Sequence, residues 1–294
     1  MLAAFTFNLD PVLVHLGSLQ IRYYGVLFAM TLLVAFLFWR RQMLRGGYSA
    51  VVTERFLIWG TIATLAGARL GHCLFYEPGR YLSDPLTILF FWEGGLASHG
   101  ATIGLVLALL LFAWKHHAKP LELLDRFAMS AAVGAAGIRL ANFLNSEVVG
   151  RVTDVPWAVR FMRYEDHGVF ARHPSQLYEF TLGVSVLLAL ILADRWAGKE
   201  KRPLGLMTGL FLALYFGGRC FIEQFKEYQT DWERSAQTVT MGQVLSIVPC
   251  VLGIALLVWT WRHRKDPLPP RPAPVPVAQK PSGQPSQTHR KRKR

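Results

Sequence analysis

The stretch Leu204-Gly-Leu-Met-Thr-Gly-Leu-Phe-Leu-Ala-Leu-Tyr-Phe-Gly-Gly-Arg-Cys-Phe-Ile-Glu-Gln-Phe225 decides the fold class. It is long enough to cross a bilayer core, which takes about 20 mostly apolar residues. Its polar groups are ordered: Tyr215, Arg219 and Glu223 recur at i+4 steps, and Lys226 follows three residues later. Residues three or four apart share a helix face, so an otherwise apolar helix carries one polar stripe. An ionisable side chain inside a membrane helix costs at least about 2.5–3.5 kcal/mol on insertion scales and is a functional hypothesis by default.

Six comparable runs surround it, at about Ile21–Trp39, Phe56–Phe75, Ile88–Trp114, Leu121–Phe143, Leu177–Asp194 and Met241–Trp261. The chain has 294 residues, of which 52% are apolar and only 17% charged. That length alone would allow one large or two ordinary soluble domains; the recurring spans exclude both. We therefore expect an all-α polytopic membrane protein with about seven transmembrane helices over residues 1–262. Spans two and three are expected to kink, because glycines interrupt them. Gly67-Ala-Arg-Leu-Gly71 and Gly100-Ala-Thr-Ile-Gly104 have the small-xxx-small spacing that lets helices approach closely. The segment from about 146 to 175 is too long for a tight connection and is expected to form a small periplasmic head. No repeat of 20–50 residues favours an inverted-repeat transporter.

Charge sets the expected orientation. The formal net charge is +13. Residues 262–294 hold ten Lys/Arg and one acidic residue, so the tail carries most of it. Residues 263–294 are Pro-rich and basic and should be a disordered cytoplasmic tail on anionic lipid rather than a nucleic-acid binder, since no aromatic residue interleaves the basic cluster. The first twenty residues contain no Lys or Arg and lack the basic start of a signal peptide. A periplasmic N-terminus puts Arg40, Arg41, Arg45, Lys115, Lys119, Arg195 and Lys199 on the inner side, as the positive-inside bias requires. Cys73, Cys220 and Cys250 show no CxxC spacing and read as packing thiols rather than a metal or disulfide framework.

Other spans also carry ionisable groups: Arg69 and His72 in span two, Glu93 and His99 in span three, Arg139 with Asn142 and Asn145 at i+3 steps in span four. Arg139 and Arg219 fall roughly 6–9 Å below the outer ends of their helices at about 1.5 Å per residue. That is near the level of a lipid phosphate, which a guanidinium fork binds with paired hydrogen bonds. Arg69 could instead be a counter-ion to Glu77 or Glu93, and Glu223 a partner that holds Arg219. There is no HExxH, GxxxxGK[ST] or GxGxxG, and Leu96-Ala-Ser-His-Gly100 only approaches a nucleophile elbow.

The motif Gly137-Ile-Arg139-Leu-Ala-Asn142-Phe-Leu-Asn145-Ser-Glu147-Val-Val-Gly150-Arg151 resembles the signature of bacterial phosphatidylglycerol–prolipoprotein diacylglyceryl transferases. Arg22-Tyr-Tyr24-Gly25, Gly94-Gly-Leu-Ala-Ser-His99-Gly100, Arg172-His-Pro-Ser-Gln-Leu-Tyr-Glu179, Tyr215-Phe-Gly-Gly-Arg219-Cys-Phe-Ile-Glu223 and Met241-Gly-Gln243 follow in register. The resemblance covers about residues 8–262. It implies an inner-membrane enzyme that moves the diacylglyceryl group of phosphatidylglycerol to the lipobox cysteine of a prolipoprotein. A thioether forms and glycerol phosphate leaves. It maps the essential residues onto Tyr24, His99, Arg139, Asn142, Glu147, Gly150, Tyr215, Arg219 and Glu223. The family often has Gly where this chain has Ala101, Ala141 and Ser146, and Arg where it has Lys226.

On these grounds Arg139 and Arg219 are expected to stabilise the leaving phosphate, and His99 to take the thiol proton unless a phosphate oxygen does. Tyr24, Asn142, Asn145, Glu147, Gly150, Tyr215 and Glu223 are expected to bind substrate. Phosphatidylglycerol, lipobox signal peptides and membrane lipids are the expected partners, and no metal or organic cofactor is suggested. A catalytically inactive paralogue that binds prolipoproteins, or a lipid or anion transporter, would use the same arginines.

Overall fold

The computed structural model describes residues 5–17, 19–90, 95, 97–228 and 240–264. The chain runs through α1 (Tyr23–Arg45), α2 (Ala50–Phe75), a short α3 (Pro78–Ser83), α4 (Ser98–Lys115), α5 (Pro120–Leu144), α6 (Ser175–Trp196), α7 (Leu206–Phe225) and α8 (Met241–Arg262). Five of these, α1, α5, α6, α7 and α8, are long and apolar enough to cross a membrane. α2 spans 26 residues but carries Glu54, Arg55 and Arg69, and α4 is shorter and strongly apolar. Leu33, Ile58, Trp59, Leu111, Val248 and Leu252 are exposed on the helices. In water such a surface would be a liability; in a bilayer it meets acyl chains. The protein is an all-α polytopic membrane protein.

Successive long helices alternate in direction, so α5 ends and α6 begins at one end of the bundle, hereafter the head end. α5 is central and packs against α1 and α6, while α2 pairs with α4, and α7 with α8. The α2–α4 contact is the one expected from the glycines. A Cβ at Gly71 would lie 2.7 Å from Gly100 Cα, and one at Gly100 would strike the Gly67 carbonyl. The far end is filled by Trp39, Met43, Phe56, Phe112 and Leu123. Asp125 of α5 is buried there and accepts hydrogen bonds from Gly205 N (2.7 Å), Thr208 N (2.8 Å) and Thr208 Oγ1 (2.6 Å). It thereby satisfies first-turn donors of α7, a helix-capping role supplied from another helix. α8 caps itself, because Thr240 and Gln243 form a reciprocal capping box.

Span three differs from the expectation. The apolar run covers Ile88–Trp114, but helix begins at Ser98, and a 3₁₀ turn occupies Pro85–Leu89. Arg69 explains the difference. Its Nε donates to Ile88 O at 2.9 Å, and its Nη2 to Thr87 O at 2.9 Å and Phe90 O at 3.0 Å. Those carbonyls are the acceptors a continuing α-helix would have needed, and Gly95 then turns with φ +74°.

Residues 145–174 form the head. Its strand β4 (Val159–Phe161) pairs in parallel with β1 (Phe5–Phe7), and β2 (Val12–Leu16) and β3 (Leu19–Arg22) form a hairpin leading into α1. Phe7, Phe143 and Phe161 cluster beneath it. Arg172 is braced by Asp166 and Glu227, each at 2.7 Å, and donates to Gly150 O at 3.2 Å.

The corner after α5 is strained. Ser146 (φ +57°) and the β-branched Val148 (φ +56°) both occupy the left-handed region, which costs roughly 1–2 kcal/mol per L-residue. α6 holds them there: Ser175 Oγ donates to Val148 O at 3.0 Å, and Gln176 Nε2 to Glu147 O at 2.7 Å. The buried Ser146 hydroxyl finds no hydrogen-bond partner among the described residues. Ser146→Gly should therefore stabilise the protein by about 0.5–1 kcal/mol, strain relief exceeding the added unfolded-state entropy. Thermal unfolding in detergent measures this; a lower midpoint would contradict the strain.

Candidate active site

The strained corner aims its middle residue. With Ser146 and Val148 fixed, Glu147 lies exposed beside the end of α5. Asn145 Nδ2 donates to its Oε1 at 2.6 Å and Asn142 Nδ2 to its Oε2 at 3.2 Å. Asn142 Oδ1 in turn accepts from Arg139 Nη1 at 3.4 Å. The i+3 spacing of Arg139, Asn142 and Asn145 thus becomes one connected line along the last turns of α5.

Arg139 belongs also to a second, deeper set. Its Nε lies 2.7 Å from Glu179 Oε2, and Arg219 Nη1 approaches the same oxygen at 3.4 Å. The other oxygen, Glu179 Oε1, is 3.4 Å from Lys226 Nζ, which also donates to Glu223 Oε2 at 3.1 Å. Three cations from α5, α7 and the residue after it therefore share two carboxylates. The Glu179 side chain is 1% exposed, whereas those of Arg139 and Arg219 are 16% and 23% exposed. The carboxylate lies behind and the guanidinium groups in front. An incoming anion would reach the remaining N–H donors of both arginines without facing Glu179.

Local structure places each member. Glu179 sits one turn into α6, whose start is set by Pro174 and by the Ser175 and Gln176 bonds to the corner. Tyr215 lies in a π-helical turn at Leu212–Phe216 and is within hydrogen-bonding reach of Arg219. Single π turns are frequent at functional sites. Glu223 packs against the first turn of α8, where a Cβ at Gly242 would collide with its carboxylate. A helix N-terminus suits a negative charge. Gly150 bridges to Lys226 by β-pairing, and a Cβ there would lie 2.6 Å from Phe225 O. Arg151 Nε donates to Lys226 O at 2.9 Å. Tyr24, at the start of α1, lies close enough to feel the charges of Glu147 and Arg139.

Most of the expected residues thus converge: Tyr24, Arg139, Asn142, Asn145, Glu147, Gly150, Tyr215, Arg219 and Glu223. His99 stands apart on the α2–α4 pair, exposed in the first turn of α4 at the head end. Among the described residues no hydrogen bond or ion pair joins it to the arginines. Glu77, a suggested partner of Arg69, faces His72 (3.4 Å) and Arg80 (3.3 Å) instead; Glu93 lies outside the described residues. Glu223, expected beside Arg219, makes its ion pair with Lys226.

Sequence reasoning did not single out Glu179 as a site residue, nor Lys226 as part of one. The available signal was an ionisable residue two positions inside an apolar run beginning at Leu177. Beyond the site, His173 in the head lies against Tyr178 and Phe225. Burial holds its imidazole below the usual range. The Tyr178 hydroxyl accepts from Trp157 Nε1 at 2.7 Å and lies 3.0 Å from His173 Nδ1.

A sequence model described as prolipoprotein diacylglyceryl transferase matches residues 11–259. A phosphatidylglycerol–prolipoprotein diacylglyceryl transferase of Nitrosomonas europaea is 40% identical over 264 residues, covering 88% of this chain and 92% of that protein. One from Tolumonas auensis is 39% identical over 258 residues, covering 87% and 98%, and one from Vibrio atlanticus is 36% identical over 270 residues, covering 89% and 95%. The matched region takes in the bundle, the head and every member of the charge cluster, and the chain belongs to the prolipoprotein diacylglyceryl transferase family.

Proposed function

We propose that Arg139 and Arg219, backed by Glu179, form the clamp for the phosphate that leaves during diacylglyceryl transfer. The protein is an enzyme: it transfers the diacylglyceryl group of phosphatidylglycerol to prolipoproteins. The cysteine sulfur attacks the glyceryl carbon that carries the phosphate ester. The C–O bond breaks, its electron pair leaves on glycerol phosphate, and a thioether remains. The nucleophile comes from the substrate, so the enzyme needs none of its own. Its task is to stabilise charge on the departing oxygen in a low-dielectric site and to receive the thiol proton.

The observation that carries this reading is the convergence of two partly exposed guanidinium groups on one buried carboxylate. Glu179 lets two like charges stand close together before substrate arrives, so little reorganisation is left for the reaction. Asn142, Asn145 and Tyr24 orient the headgroup, and Tyr215 and Glu223 position Arg219 and Lys226. The exposed Glu147 and the head above it receive the extended lipobox peptide. His99, at the same end of the bundle, takes the thiol proton.

The head and N-terminus face the periplasm in this reading and the tail the cytoplasm, in the inner membrane. Arg41, Arg45, Lys115, Lys119, Arg195 and Lys199 all lie at the far end, which supports that orientation. The tail from residue 265 lies outside the described residues.

Purified protein, phosphatidylglycerol and a lipobox peptide should yield the diacylglyceryl thioether and free glycerol phosphate by mass spectrometry. Substrate binding without product would favour the inactive paralogue instead. Arg139→Ala and Arg219→Ala should each lower turnover by about 10²–10³-fold, the scale of removing a preorganised oxyanion donor, while membrane insertion persists. Near-normal turnover in both would refute the clamp. His99→Gln should slow transfer by about 10²–10⁴-fold if it is the base; an unchanged rate assigns the proton to a phosphate oxygen.

A further inference from the structure

At the far end, opposite the arginine pair, a cavity of about 570 Å³ opens between the last two turns of α1 and those of α6. This volume is in the range of small-ligand sites, roughly 300–1,000 Å³. Its inner wall is mostly apolar, formed by Phe38, Met129 and Ile191 beside the buried amide of Gln42, which is bonded to Met129 and Arg45, and its rim carries Arg41, Arg195 and Lys199. All three rim cations are exposed. The transfer reaction uses none of them.

The charges of the cavity wall and the buried charges beside it are compensated, and these three are not. Arg40 pairs with Glu54 at 3.1 Å, and Arg126 with Glu122 and Glu200 at 2.9 and 3.0 Å. Arg45, in the cavity wall, is bound by Asp194 and Glu200, each at 2.7 Å. Asp194 is the cavity's carboxylate, and it is enclosed by Arg45 and Arg202. Its charge is therefore spent within the wall and cannot repel an incoming anion. No ion pair among the described residues involves Arg41, Arg195 or Lys199. The exposed Trp196, beside Arg195, is placed as an interfacial aromatic anchor.

We propose that this cavity is a second lipid site, for a net-anionic phospholipid of the leaflet opposite the active site. The headgroup phosphodiester sits among Arg41, Arg195 and Lys199, and the upper acyl chain lies against Phe38 and Ile191. The apolar wall selects a lipid over a soluble phosphate. The surplus positive charge disfavours a zwitterionic headgroup, whose ammonium it repels. Basic pockets between membrane helices bind anionic headgroups in this manner. A lipid held there bridges α1 and α6 where both lean on α5 and takes no part in transfer.

The test is photo-crosslinking with a diazirine-bearing phosphatidylserine in nanodiscs, read as labelled peptides. Wild-type protein should be labelled on the α1 and α6 segments that line the cavity. The variant Arg41→Gln/Arg195→Gln/Lys199→Gln should bind about a hundredfold more weakly there, roughly fivefold per charge. Its unfolding midpoint and transfer activity should match wild type, so the loss reports the site rather than the fold. Excess inorganic phosphate should not compete, and a phosphatidylcholine probe should label these segments weakly. Equal labelling of the variant, equal labelling by phosphatidylcholine, or displacement by inorganic phosphate would each overturn the proposal. The first two would mean annular lipid only, and the third a soluble-anion pocket.

Discussion

The carboxylate of Glu179 stands between two guanidinium groups that would otherwise repel each other, and it does so with almost no contact with water. Removing it would leave Arg139, Arg219 and Lys226 facing one another with Glu223 as their remaining direct counter-ion. An unbalanced buried cluster of that kind costs several kcal/mol per uncompensated ion. The start of α6 therefore has two duties. Pro174, Ser175 and Gln176 fix the helix entry and pin the strained corner that aims Glu147, and one turn later the same helix supplies the shared carboxylate. Backbone strain and charge placement are tied to a single helical turn, as expected where strain persists because its surroundings over-determine it.

The two buried charge clusters of the bundle are built differently. At the far end Arg45, Arg126, Arg202, Asp194, Glu122 and Glu200 form a linked set of three cations and three carboxylates, every member in an ion pair with another. Burial alone would raise the Glu200 carboxyl, but the guanidinium groups of Arg126 and Arg45 hold it below the usual range. Its pairing stabilises the fold fully above the ordinary carboxylate value, about 4.3, and is lost as pH falls through the depressed folded value. Such a set closes loops onto helices. At the head end the directly joined cations outnumber the carboxylates, and two of them face outward. Balanced charge holds structure together, and the surplus waits for a ligand.

The sequence made the spans legible because hydropathy depends only on local composition, and it made Arg139, Asn142 and Glu147 legible through helical spacing and the family motif. What it concealed depended on contacts between distant segments. The first third of span three reads as helix, yet Arg69, some twenty residues earlier, captures the carbonyls of Thr87, Ile88 and Phe90. Glu179 lies so near the edge of its apolar run that composition could not distinguish an interfacial residue from a fully enclosed one. The π turn that sets Tyr215 has no compositional marker. β1 and β4 are three residues each and pair across more than half of the chain, so neither is visible locally.

That last pairing dictates an order of assembly. Phe5 can find Val159 only after α1 to α5 and the first part of the head have been synthesised. Until then the N-terminal arm waits on the head side of the membrane with its backbone donors and its Phe7 ring unmatched. Closing so long a loop is slow and entropically costly. The arm is thus a strap that can be fastened over the head only after the four long helices α1, α2, α4 and α5 have been threaded in order.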